Sequence, residues 1–200
     1  MAILVFVESA DGAIKKSSLE AVFYASKLAE RNGDSVTAIY IGQIDNAALE
    51  RIGGSGAKRV LHADNEKLNL GVVQAYTSVL FQAMQKEGAD TLILATSSLG
   101  NPIAARLAIK LNAGLATNVV DLPETSGGFK VKRSIFTGKA FELVEITSPK
   151  KIIAIKKNAV DYIDAADTAT VEKFAADLDE RDFNINITGT EKATGDVLLP

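Results

Sequence analysis

The chain has 200 residues, 47% of them hydrophobic, and a net charge of −3. That is enough apolar material for one domain, or one domain with an appendage, and the charge argues against a general nucleic-acid binder. With no Cys and a single His, His62, the sequence excludes disulfides and thiolate metal sites and leaves little room for histidine metal sites or a Ser-His-Asp triad.

The opening AILVFV, Ala2 to Val7, predicts a buried strand followed by acid and Ser. A secretory leader would begin with basic residues and carry a longer apolar run. No segment approaches the ~20 apolar residues of a membrane span, so the protein is expected in the cytoplasm, with no membrane insertion. Leu19, Val22, Phe23, Ala25, Leu28 and Ala29 fall at helical spacing, and Asn32-Gly33 ends that helix. SVTAIYIG is the next strand. Ala47 to Ile52 predicts a short helix broken by GGSG, and KRVLHA a brief strand. Leu70, Val73, Thr77, Leu80, Phe81 and Met84 form a helical stripe closed by Glu87-Gly88, and TLILA follows as a strand. This alternation predicts an α/β fold, a parallel sheet with helices on both faces.

After residue 114 the pattern changes. GLATNVVDLP, FKVKRSIF, KAFELVEIT and KKIIAIK read as strands joined by turns at Thr125–Gly128 and Thr137-Gly138. Additional antiparallel strands are therefore expected to extend or flank the parallel sheet in the second half of the chain. Residues 128 to 157 hold eight bases against two acids, a local charge of +6. Residues 160 to 182 are acidic (Asp161, Asp164, Asp167, Glu172, Asp177 and others). They read as an extended arm with a helical turn near 170 to 176, and DFNINITG as a late strand. The division expected is an α/β domain over 1–157 and an acidic arm with a late strand over 158–200. GDVLLP ends on apolar residues, which points to a chain that continues.

TSSLGNPIAARLAIKLNAGLATN, residues 96 to 118, lies in the strand–turn–helix layout that often seats a phosphate. Pro102 suits a first helical position and Asn101 the N-cap before it. Ile103, Leu107 and Leu111 then form the buried stripe, with Ala104 and Ala108 allowing close approach to a neighbour. A phosphate loop would want more Gly and a Lys; here the cap serves the helix, with Ser97 and Ser98 left as possible anion donors. GGSGAK, residues 53 to 58, has neither Walker nor GxGxxG spacing and precedes a strand, so a C-cap and turn is the better reading. His62 reads as hydrogen-bonded structure, with Asp64 a plausible partner. Ser97 and Ser98 lack a nucleophile elbow. Arg133, with Lys132 and Lys139, is either a solvated basic edge resisting strand pairing or a contact with an anionic partner or cofactor. Gly138 after Thr137 suggests a positive-φ turn. Glu8 and Asp11 would be the carboxylates of a small-molecule enzyme, the weakest of the readings. No catalytic, cofactor-binding or metal-ligating residue is assigned.

Taken in order, AILVFVES, IGGSGAKRVLHAD, SSLGNPIAARLAIKLNAGLATN (97 to 118), KRSIFTGKAFELVEI (132 to 146) and KKIIAIKKNA resemble the amino-terminal domain of the electron transfer flavoprotein alpha subunit over essentially all 200 residues. The chain departs from that family's pattern at Asn101 (a basic residue is usual), Asn118 (usually Asp) and Ser134 (usually Pro after Arg). The resemblance implies an adenine nucleotide alpha-hydrolase-like α/β fold. It implies pairing with a beta subunit, and electron transport from flavin dehydrogenases, such as the acyl-CoA dehydrogenases of fatty acid oxidation, to a quinone oxidoreductase. It implies FAD on a carboxy-terminal domain missing from these residues, none on this segment, and a carrier subunit rather than an enzyme. The rival reading is a stand-alone nucleotide-binding module of the universal-stress type.

Overall fold

A computed structural model describes residues 2–185 and 187–189. β1 (Ala2–Val7) is apolar along its whole length, as a strand covered on both faces must be. It lies in the middle of a nine-stranded sheet, parallel to β4 (Ser35–Ile41) on one side and β6 (Ala89–Ala95) on the other. β5 (Arg59–Ala63) continues beyond β4. A two-residue Asp11-Gly12 turn joins the short strands β2 (Ser9–Ala10) and β3 (Ala13–Ile14). Both turn residues have positive φ, 51° and 79°, as a tight hairpin connection of this kind requires.

Four helices supply the two outer layers. α1 (Lys16–Asn32) and the short α2 (Asn46–Glu50) cover one face of the sheet, burying Ala21, Val22, Ala25, Leu28 and Leu49 against Val5, Val7 and Ile93. α3 (Val73–Lys86) and α4 (Gly100–Leu111) cover the other, with Leu80, Met84, Ile103 and Leu107 against Leu4, Phe6, Leu92 and Leu94. Gly33 stops α1 at φ 70° and returns its N–H to Ala29 O, the left-handed ending expected there.

The second half is where topology departs from chain order. β7 (Gly114–Val119), β8 (Lys130–Ile135) and β9 (Ala140–Glu145) are followed by β10 (Lys151–Ile155). The antiparallel extension consists of β8 and β9. The KKIIAIK segment instead returns as β10 into the parallel part, between β6 and β7. Ile152 to Ile155 are all buried, which only a central strand with both faces covered achieves.

Several sequence expectations are corrected. Leu70 is 56% exposed, because Gly71 at φ 67° turns the chain before α3 starts at Val73. The segment Ala47–Ile52 divides, with a 3-10 turn over Arg51–Ser55 that takes in the first glycines rather than stopping at them. The turn expected near 170 to 176 is a strand, β11 (Thr170–Lys173), parallel to β5 at the sheet edge. The unpaired backbone of β5 outweighs the weak local helical preference there, and Phe174 is buried just beyond. Among the described residues DFNINITG forms no strand; Glu180–Phe183 is a 3-10 turn whose Asp179 and Asp182 carboxylates cap each other's backbone N–H groups. The terminal GDVLLP lies outside the described residues. Arg133 is not at an edge either: β8 is flanked by β7 and β9, and Glu142 faces Arg133 across the pair.

Candidate functional site

In an open parallel sheet, ligands gather outside the carboxyl ends of the strands where the order of winding reverses. Here that point is β1, since β4 and β5 run to one side and β6 and β10 to the other. A cleft of about 340 Å³ opens there, with Glu8, Lys15, Tyr40, Gly42, Tyr76 and Ser98 on its walls. Its polar groups could serve a ligand only where they are unpaired.

Most are already paired. Glu8 directly follows β1 and is buried. The β2–β3 hairpin folds Lys15 back over it, so that Nζ donates to Glu8 Oε2 at 2.7 Å. Ser97 Oγ donates to Glu8 Oε1 at 2.5 Å and accepts from Gly100 N at 2.7 Å. Ser97, three residues ahead of Gly100, is thus the side chain that caps α4. Asn101 is not the N-cap; it lies inside the first turn with its backbone N–H on Ser97 O. The loop bends tightly enough to swing the earlier hydroxyl under the helix, and sequence spacing alone does not reveal that. Pro102 is accordingly two places further in than expected. The helix N-terminus, where an anion would bind, faces a hydroxyl that is itself held by a carboxylate. A phosphate arriving here would meet the Glu8 charge.

The wall formed by β4 and β5 is equally self-contained. His62 Nε2 donates to Gly42 O at 2.9 Å, so its partner is a carbonyl rather than Asp64. Asn69 Oδ1 accepts from Gln43 N at 2.7 Å and its amide donates to Gln43 Oε1 at 2.8 Å. Tyr76 OH reaches Leu68 O and Ile41 O, and burial, with the Tyr40 hydroxyl next, raises its pKa far above the usual phenol value. Asp11 sits on the exposed hairpin turn and does not line the cleft, so Glu8 and Asp11 are not brought together as a carboxylate pair. Among the described residues no group of His, Asp and Glu is placed to hold a metal ion, and no helix is long and apolar enough to cross a membrane.

GGSG has a different use. A Cβ on Gly53 would stand 2.2 Å from Thr168 C, and one on Gly54 2.4 Å from Ala165 O. The loop is bare so that the chain's own 164–169 segment can lie on it, tied by Ala165 N to Gly54 O and Ala169 N to Glu50 O, both 2.8 Å. Ser55 Oγ donates to Tyr162 OH. Only Gly56, left-handed at φ 104° with its N–H on Gly53 O, plays the C-cap part that the sequence indicates. The paired glycines were the available signal for close backbone approach, but the partner could not be named without the fold.

A second cleft, of about 480 Å³, opens beside β7, β8 and β10. It is lined by Arg133, Gly138 and Lys156, and also by Asn118 and Ser134. Gly138 is left-handed at φ 94°, as expected. Lys132 lies over the Phe141 ring and is not in this cleft.

A family model described as the electron transfer flavoprotein domain matches residues 3–179. The electron transfer flavoprotein subunit alpha of Bacillus subtilis is 26% identical over 194 residues, 97% of this chain and 59% of that protein. The subunit of the same name in Mycobacterium tuberculosis is 29% identical over 166 residues, 82% of this chain and 50% of its own length. The acryloyl-CoA reductase electron transfer subunit beta of Anaerotignum propionicum is 26% identical over 120 residues, covering 60% of this chain and 33% of its own. The chain therefore spans about 59% or less of these relatives.

Proposed function

This chain belongs to the electron transfer flavoprotein domain family, and on that premise we propose that it is the scaffold and subunit-pairing part of an alpha-type electron transfer flavoprotein subunit. In this reading FAD sits on a further domain, and residues 158 onward lead toward it. The complete assembly, with a beta subunit, takes electrons from flavin dehydrogenases such as acyl-CoA dehydrogenases and passes them to a quinone oxidoreductase. The present domain does no chemistry of its own and works in the cytoplasm. The match across residues 3–179, together with alpha subunits among the relatives, carries the proposal. The inward-facing Glu8–Lys15–Ser97 network supports a domain whose nucleotide-type crevice has been closed to phosphate.

The test is co-expression with an electron transfer flavoprotein beta subunit. A complex that co-elutes on size exclusion is the expected result, while the 200-residue chain purified alone is colourless. A stoichiometric flavin spectrum on the chain alone would sink the reading.

One observation favours a second reading: a cleft of about 340 Å³ does lie at the winding reversal, where a stand-alone universal-stress-type module would hold a nucleotide. Calorimetry with ATP and AMP separates the two. Saturable heat from ATP and AMP beyond what inorganic phosphate and pyrophosphate give supports the nucleotide module, and its absence supports the scaffold.

A further inference from the structure

The second cleft at the carboxyl edge has the opposite character to the first. Four side chains that can donate hydrogen bonds line it from three strands or their ends: Asn118 in β7, Arg133 and Ser134 in β8, and Lys156 just after β10. No carboxylate is among the lining residues. Arg133 Nε is buried and has no hydrogen-bond partner among the described residues. Glu142 Oε1 approaches it at 3.3 Å, close enough to offset part of the charge but not aligned to accept the bond. Among the described residues Lys156 Nζ has a single hydrogen-bond partner, Ser134 Oγ at 3.5 Å, and Ser134 is itself buried. A buried donor of this kind is costly unless an acceptor reaches it.

The backbone converges on the same place. β7 and β10 slip register between Ile153 and Ile155, and Asn118, in β7 opposite the slip, adopts φ 56°. Such bulges re-aim side chains near sites. Phe136 and Thr137, in the turn between β8 and β9, are both left-handed at φ 48° and 54°, a conformation uncommon outside glycine that shapes the rim of this cleft. Gly138 follows without a side chain; even a Cβ there would come within 3.5 Å of Lys156 Nζ.

We propose that this cleft binds a phosphate-type oxyanion, held by the planar fork of Arg133, the Lys156 ammonium and the Ser134 hydroxyl. A guanidinium offers two parallel donors to such a group, which a lone ammonium cannot. The inference stands apart from the subunit-pairing reading, and either can fail without the other.

The test titrates the 200-residue chain with inorganic phosphate and with pyrophosphate, by calorimetry and by ³¹P line broadening, at constant ionic strength set with chloride. Saturable binding is expected, weaker by about tenfold or more in Arg133→Gln. Arg133→Lys should fall between the two, and Lys110→Gln, on α4, should match the parent chain. Lys156 is exposed, so Lys156→Gln should stay folded and carries the test should the Arg133 variants unfold. The two phosphates separate a simple phosphate group from a pyrophosphate as the preferred ligand. Binding that is absent, that chloride abolishes, or that survives unchanged in Lys156→Gln and Arg133→Gln overturns the proposal.

Discussion

Gly53→Ala measures how firmly the 164–169 segment is fastened. The new Cβ would lie 2.2 Å from Thr168 C, 2.4 Å from Ala169 N and 2.6 Å from Thr168 Cα. All three are backbone atoms, so no rotamer change relieves the clash. Carbon contacts want about 3.5–4.0 Å, so the segment must shift by roughly 1.5 Å. That displacement stretches the 2.8 Å bonds from Ala165 N to Gly54 O and Ala169 N to Glu50 O beyond useful length. Two lost hydrogen bonds at about 1 kcal/mol each, plus residual overpacking, give a loss of about 2–4 kcal/mol. At about 2–4 °C per kcal/mol for a chain of this size, Tm falls by about 4–16 °C. Urea unfolding gives the free energy, and limited proteolysis should cut first between 158 and 173. Gly189→Ala, with nothing within 4 Å of its Cβ, is the matched control and should change stability by no more than about 0.5 kcal/mol. A Gly53→Ala protein that unfolds with the parent chain and resists protease equally would show that the segment is not seated on this loop.

Other outcomes follow from the same structure. Ser97→Ala leaves both Gly100 N–H and Glu8 Oε1 short of a partner and should cost about 1–3 kcal/mol in chemical denaturation. Asn101→Ala should change less than about 0.5 kcal/mol, and the reverse order would restore Asn101 as the cap. Phe174→Ala, emptying a buried site just after β11, should cost about 3–4 kcal/mol; a neutral result would mean that β11 does not pack as described. Burial first, then the Asp121 charge, raises the Tyr24 pKa, and burial raises that of Tyr76. Both phenols therefore stay protonated in the folded chain while an unfolded chain ionises from about pH 10. The stability these groups contribute is complete below pH 10 and is lost as pH climbs above it toward the raised folded values. Ultraviolet titration should show these two tyrosines ionising only together with unfolding; smooth ionisation of all four near pH 10 in folded protein would contradict their burial.

The sequence by itself determined the alternating first half. β1 is apolar throughout, α1 carries one apolar stripe and ends at Gly33, and such features rest on periodicity and caps within a few residues of each other. The family, too, was legible from the ordered set of segments. Only tertiary structure decided where KKIIAIK inserts, because a short aliphatic run reads the same at an edge and in the centre, and the strands that flank it, β6 and β7, come from earlier in the chain. It decided that 170–173 is a strand, since the open edge of β5 outweighs weak local preference. It also decided the crevice: Ser97, Glu8 and Lys15 meet through a turn and a hairpin, while the Gly53-Gly54 seat is explained by residues far along the chain. Contacts between distant segments depend on three-dimensional proximity, which one-dimensional spacing does not encode.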